Sequence, residues 1–192
     1  DAIKPGILGR RNLPVTIRRD YVQNSNDSYW MTNPRRPLTG FSPIIGDEGN
    51  LQLELRTRYG IRMIEDRLAG TDGLPGRKFT LAKLRQLWQR DDSMAGILLK
   101  DQLADLCEAN PTVTLGDDET VDISEACPVI RGWDGRAQLD SKGDWLFELW
   151  YRHAGTLFAD AFDPADPVDT PTTLDTGEDN LLALGAAVKH LR

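Results

Sequence analysis

This 192-residue chain has only two histidines, two cysteines and three methionines. His153 and His190, with Cys107 and Cys127, show none of the paired spacings that hold a transition metal, so neither a metal nor any other cofactor is expected. No apolar run approaches the ~18 residues needed to span a bilayer, and no membrane partner is expected. Positive charge is in deficit. The 23 Lys and Arg against 30 Asp and Glu leave a net charge of −7, which argues against a general nucleic-acid binder with its basic face. Lysine is scarce beside arginine, so the cations present suit planar, bidentate partners. The Gly-x-Ser-x-Gly elbow of many serine hydrolases is absent, and Ser141 has no base beside it in sequence. No hydrophobic run follows the first charges, so no signal peptide is legible, although a leader already removed would leave the same picture.

What is present is ordinary for a globular protein. Hydrophobic residues make up 40% and charged residues 28%, and the length suffices for one large domain or two small ones with a real core. Residues 1–13 read as a lead-in with little order of its own. Val15 and Ile17 alternate with Thr16 and Arg18, a period of two that predicts a strand over 15–22. Pro34, Pro37, Gly40, Pro43 and Gly46 predict a long loop. A helix is predicted from an Asn50 cap to Gly70, on the recurrence of Leu51, Leu55, Tyr59 and Met63.

Thr80 is expected to cap a second helix with Leu81, Leu84, Leu87 and Trp88 on one stripe. Asp92 or Ser93 should cap a third, which Asn110-Pro111 stops. Trp88 and Met94 read as core. Residues 115–120 are acidic but lack the alternating oxygens and distal Glu of an EF-hand, so they read as a solvated turn. Asp122-Ile-Ser-Glu125 resembles a capping box, with Ser124 a candidate cap for a short helix toward Trp133. Further helices are expected through Leu146, Leu149 and Trp150, with His153 at the edge, and from an Asn180 cap to the end. The expected class is α+β, mostly helical with a short strand, organised as a strand-and-loop segment over 1–46 and a helical region over 47–192.

The chain's most unusual stretch is 20–30, Asp-Tyr-Val-Gln-Asn-Ser-Asn-Asp-Ser-Tyr-Trp. Gln23, Asn24, Asn26 and Asp27 crowd the end of the predicted strand. One reading is an Asx-type turn, since Asn and Asp bond their own backbone and tolerate turn conformations. The other is that one amide is aimed at charge developing on a substrate.

This run resembles the Asn-x-Asn-Asn/Asp-Ser segment of the penicillin acylase family of N-terminal nucleophile hydrolases. Its wording is nearest the branch that holds acyl-homoserine lactone acylases and aculeacin A acylase. Residues 58–68, Gly132-Trp133-Asp134-Gly135-Arg136 and residues 162–168 also look like this branch, so the resemblance runs through most of the chain. Tyr29 stands where penicillin G acylases carry Pro.

The resemblance implies a four-layer αββα sandwich, to which this chain would contribute a strand and an outer helical section. It implies a serine-type amidohydrolase that removes an acyl group from an amide substrate: a lactone signal, a lipopeptide or a penicillin-like molecule. Asn26 would give its side-chain amide to the oxyanion hole. An arginine heading the next helix would hold that amide; Arg62, before Met63-Ile64, matches best, with Arg58 as the alternative. Helix rules alone offer Glu54 and Asp66 as partners for these arginines. The family's nucleophile is a first-residue Ser, Thr or Cys with its own amine as base. Asp1 cannot act so, and the chain is expected to be an interior or C-terminal part of the nucleophile-bearing β chain, inactive alone, whose partners are the remaining α and β segments. The branch's periplasmic or extracellular setting implies a Cys107–Cys127 disulfide. The competing reading is a non-catalytic helical interaction module, which composition and periodicity leave open.

Overall fold

The computed structural model describes residues 9, 13–27, 29–46, 49, 51–116 and 118–192. Among them are six α-helices: α1 Leu55–Ala69, α2 Leu81–Trp88, α3 Met94–Ala109, α4 Ala126–Gly132, α5 Asp144–His153 and α6 Glu178–Leu191. Strands β1, Thr112–Thr114, and β2, Thr120–Asp122, pair antiparallel with Val113 opposite Val121. The class is α+β. Two compact units divide the chain: residues up to Arg77 with Phe162–Asp169, and Lys78–Ala161 with Thr170–Arg192. The boundary at 46/47 drawn from sequence marked where helices begin; by contacts, α1 groups with the residues before it.

In the first unit, Trp30, Met31, Phe41, Leu53 and Ile61 form the core, with Leu38, Ile45, Phe162 and Val168 packed against it. α1 starts at Leu55 with Glu54 as N-cap, and the expected cap, Asn50, lies outside the described residues. Gly70 ends the helix at φ 82°, its N–H donating to Asp66 O at 2.8 Å. A residue with a Cβ would be strained in that left-handed conformation. The fully buried positions of α1 include Thr57, Arg58, Ile61 and Arg67, while the expected stripe of Leu55, Tyr59 and Met63 is only half-buried. Arg67 is held by Asp72 at 3.0 Å, with both side chains withdrawn from solvent.

The predicted strand over 15–22 is not formed. These residues run without a ladder partner among the described residues, and Val15, Ile17 and Val22 are exposed. A period of two reports a pleated conformation, but a strand exists only when a second strand accepts its hydrogen bonds. The chain's described strands lie instead in the 112–122 hairpin, around the acidic turn.

In the second unit α3 packs on α4, α5 packs on α6, and the hairpin lies on α6. Gly185 lets α6 approach the hairpin: a Cβ there would meet Val113 and Leu115 at 3.2 Å. Thr80 and Ser93 cap α2 and α3 as expected, accepting from Lys83 N and Gly96 N. Two other expected caps are corrected. Glu125, not Ser124, is the N-cap of α4, because Asp122 Oδ1 draws both the Ser124 N–H and its hydroxyl into a local turn. Gly177, not Asn180, is the N-cap of α6. Asn180 is buried inside the helix and donates to Thr156 O and Asp175 O, a demand set by the loop folded over it.

The aromatic centre is Trp133 against Phe147 at 4.7 Å and Phe147 against Trp150 at 5.0 Å between ring centroids. Trp88, expected in the core, is 74% exposed, with Leu81 and Leu84 exposed beside it; α2 buries only Leu87. Its stripe is amphipathic, but beyond Leu87 it is left open among the described residues. The Cys107–Cys127 disulfide joins α3 to α4 with its Cα atoms 5.4 Å apart.

Two measurements test this packing. Gly96→Ala should lower the unfolding free energy in urea by about 1–3 kcal/mol, because its Cβ would sit 2.7 Å from the Trp133 ring. Trp88→Ala should stay within about 0.5 kcal/mol of wild type; a larger loss at 88 than at 96 would refute the arrangement. Replacing Cys107 and Cys127 together by Ser should cost about 3 kcal/mol, the loop-closure entropy of a bridge over a sequence separation of 20. Two titratable thiols in the non-reduced, denatured wild type would rule the bond out.

Candidate functional site

Among the described residues, the segment 20–33 has no sheet partner, and side chains hold it. Arg18 donates to both oxygens of Asp20, at 2.9 and 2.6 Å, and that hydrogen-bonded guanidinium holds the Asp20 carboxyl well below its usual range. The Tyr21 hydroxyl donates to Glu65 Oε1 on α1 at 2.5 Å. Glu65 Oε2 accepts from Arg35. Asn33 is fully buried: its amide N–H₂ donates to Tyr21 O at 3.0 Å, and its amide oxygen accepts from Arg35 N. Gln23 N–H donates to Thr32 O at 2.9 Å, and the Gln23 side chain donates to Met31 O.

The chain then turns. Ser25 Oγ donates to Gln23 Oε1, and Asn26 N–H donates to Asn24 Oδ1 at 2.9 Å. Asn26 has φ 57°, the left-handed conformation that Asn tolerates better than most residues. The Asx turn foreseen from composition is therefore real. It also leaves the Asn26 side chain exposed at the tip. The two readings of this stretch are compatible: Asn24 makes the turn and Asn26 is displayed by it. Asp27 leaves the turn toward α1, its Oδ2 accepting from Glu54 N–H at 2.9 Å.

The two candidate arginines, four residues apart on α1, differ in burial. Arg62 is exposed and pairs with Asp66 at 3.8 Å, the local partner that helix spacing offers. Arg58 is fully buried, and its Nε donates to Val168 O at 2.7 Å. Glu54, the other local candidate, pairs with Arg56 at 3.2 Å. Arg62 also lines a cleft of about 570 Å³ between α1, Pro34 and Pro37, and residues 164–169. Glu65, Asp66, Asp166 and Asp169 make that cleft acidic, and Asn26 is not among its lining residues. Asn33, Arg35 and Glu65 were not singled out in the sequence. Pro34 marked a loop here, but nothing local tied its neighbour Asn33 to Tyr21.

A penicillin amidase family model matches residues 2–192. The chain belongs to the penicillin amidase family. Over 171 residues it is 47% identical to the aculeacin-A acylase of Actinoplanes utahensis, a match covering 89% of this chain and 22% of that protein. It is 33% identical over 180 residues to the acyl-homoserine lactone acylase PvdQ of Pseudomonas syringae pv. syringae, covering 91% and 21%. The PvdQ of Pseudomonas putida is 32% identical over 179 residues, covering 90% and 20%. The chain therefore spans about a fifth of the length of these curated relatives. No described helix is long and apolar enough to cross a membrane.

The Tyr21–Glu65 tether has a testable signature. Burial, and then the hydrogen bond to Glu65, push the Tyr21 phenol above its ordinary value. A phenol raised in this way binds its proton more tightly in the folded state. Its stabilising contribution is present below the ordinary tyrosine pKa of about 10 and fades as the pH rises toward the folded value. Ultraviolet titration should show the same number of tyrosines ionising near pH ~10 in wild type and in Tyr21→Phe. A loss of one such tyrosine in the variant would contradict the tether.

Proposed function

We propose that this chain is part of an acylase that hydrolyses an amide, and that it supplies the oxyanion-hole donor but not the nucleophile. Attack on an amide carbonyl puts negative charge on its oxygen. A fixed N–H donor aimed at that position stabilises the transition state more than the ground state. The observation that carries the reading is the turn at residues 24–27, which displays the Asn26 amide within a chain 47% identical to an aculeacin-A acylase. The fold around it, on this reading, is the αββα sandwich of N-terminal nucleophile hydrolases. Residues 15–22 would find their ladder partners in the rest of the enzyme.

Asn26 needs a holder. Arg62 pairs with Asp66 at an exposed position, whereas Arg58 is buried in the first turn of α1, just after the Glu54 N-cap whose N–H donates to Asp27. Arg58 is thus the better-supported holder, with Arg62 kept as the alternative. The substrate class is an amide bearing an acyl group; the relatives' names extend to acyl-homoserine lactones and aculeacin A. The setting is periplasmic or extracellular, where the Cys107–Cys127 bond persists. The segments that bear the nucleophile are the chain's partners, and by itself the chain is inactive.

In the full-length enzyme, Asn26→Ala should lower kcat on a chromogenic fatty-acyl anilide by roughly 10²–10³, the usual result of removing one oxyanion donor, with KM nearly unchanged. Asn26→Asp should be at least as damaging, because it places an acceptor where negative charge develops. Arg58→Ala should be milder and add little to Asn26→Ala. Near-normal kcat in Asn26→Ala with a silent Asn24→Ala would show that the register is wrong. Non-additivity at Arg62 in place of Arg58 would reassign the holder alone.

A further inference from the structure

Helix α1 begins without the groups that normally satisfy a helix start. Its N-cap is Glu54, whose side chain makes no capping bond, and its first turn holds no acid. That turn carries Arg56 and Arg58, cations placed at the positive end of the helix dipole. In a capping box, the third helical residue is Glu or Gln and accepts the N-cap's own N–H. Here that position is Thr57. The Glu54 N–H is satisfied instead by Asp27 Oδ2 at 2.9 Å, from 27 residues earlier in the chain. Asp27 also brings negative charge to the end of the helix that favours it.

Asp27 directly follows Asn26. Upstream the turn is fixed by the Gln23 bonds to Thr32 O and Met31 O and by the Asn24–Asn26 bond. Downstream the Asp27–Glu54 bond fixes it to α1. The helix also comes close beside the turn, since a Cβ added at Gly60 would meet Ser25 Oγ at 3.6 Å. We propose that Asp27 is a positioning residue, clamping the Asn26 turn onto the N-terminus of α1 so that the Asn26 amide and the first turn bearing Arg58 keep one fixed geometry. The inference rests on the oxyanion reading of Asn26. It assigns Asp27 no contact with substrate.

The test uses the full-length enzyme and a chromogenic fatty-acyl anilide, with kcat, KM and Tm read for each variant. Asp27→Ala should lower kcat by roughly 10–10²-fold at unchanged KM, the scale of a small misplacement of a reacting group. Asp27→Asn keeps an oxygen acceptor for the Glu54 N–H and should recover most of that loss. Asn26→Ala/Asp27→Ala should be no slower than Asn26→Ala. Normal kcat in Asp27→Ala, or full additivity with Asn26→Ala, would overturn the proposal. So would a lowered Tm with kcat intact, which marks a purely structural cap. Should Asp27→Ala not fold, Asp27→Glu decides: it keeps the charge and acceptor but lengthens the tether, and kcat should fall severalfold with little change in Tm, whereas wild-type kcat there overturns the proposal. The two readings fail separately. If Asn26→Ala leaves kcat unchanged, the oxyanion reading falls and the clamp with it. If Asn26→Ala loses kcat and Asp27→Ala does not, only the clamp falls.

Discussion

The arrangement of the first unit depends on the carboxylate of Glu65. Residues 15–22 have no ladder partner among the described residues, so no described sheet fixes the motif that follows. Glu65 takes a hydrogen bond from Tyr21 on one oxygen and from Arg35 on the other, and so ties both arms of the loop to α1. Asn33 closes the same knot from within, holding the Tyr21 carbonyl with a fully buried amide. Charge-assisted bonds of this kind are short and directional, which suits a loop that must hold its shape without a ladder. The cost is dependence on one helix: whatever displaces α1 displaces the motif.

The second unit is held by different means. Its helices meet through the Trp133–Phe147–Trp150 stack and through glycines that admit close approach, Gly96 under Trp133 and Gly185 against the hairpin. The disulfide fastens α3 to α4. Dispersion and burial carry this unit, and hydrogen bonds specify its loops. Asp160 is an example. Burial works to raise its pKa, but the N–H groups of Thr172 and Thr173 prevail and lower it, so the carboxylate stays charged and fixes the return of the chain. Against this order the open face of α2 stands out, where Leu81, Leu84 and Trp88 project together.

The chemistry proposed for the chain is that of a donor in a shared site. An oxyanion donor works only if it is already in place when charge develops, since reorganising it during the reaction would consume the stabilisation it gives. On the proposed reading the turn at 24–27 would hold such a donor locally, and the bonds of Gln23 to Met31 O and Thr32 O and of Asp27 to α1 brace that turn. Asn suits the tip for two reasons on that reading: it tolerates the left-handed backbone there, and its amide would offer the donor.

Sequence alone determined what depends on neighbours within a turn or two. The Thr80 and Ser93 caps, the Gly70 stop, the Asn110 end of α3 and the Asx turn at Asn24 follow from groups that reach one another along the local chain. The family likeness was legible for the same reason, because its motif is contiguous. Where burial or a distant partner decides, local rules did not suffice. Arg58 and Arg62 read alike on a helical wheel, yet one is buried against Val168 O and the other lies in solvent beside Asp66. Trp88 belongs to a sound amphipathic stripe left open beyond Leu87 among the described residues, and Asn180 looks like a cap but serves a loop 24 residues away. The bond from the Glu54 N–H to Asp27 joins positions 27 residues apart that no local rule pairs. Only the tertiary structure brings such groups together, because their energy lies in contacts between segments that the order of residues leaves far apart.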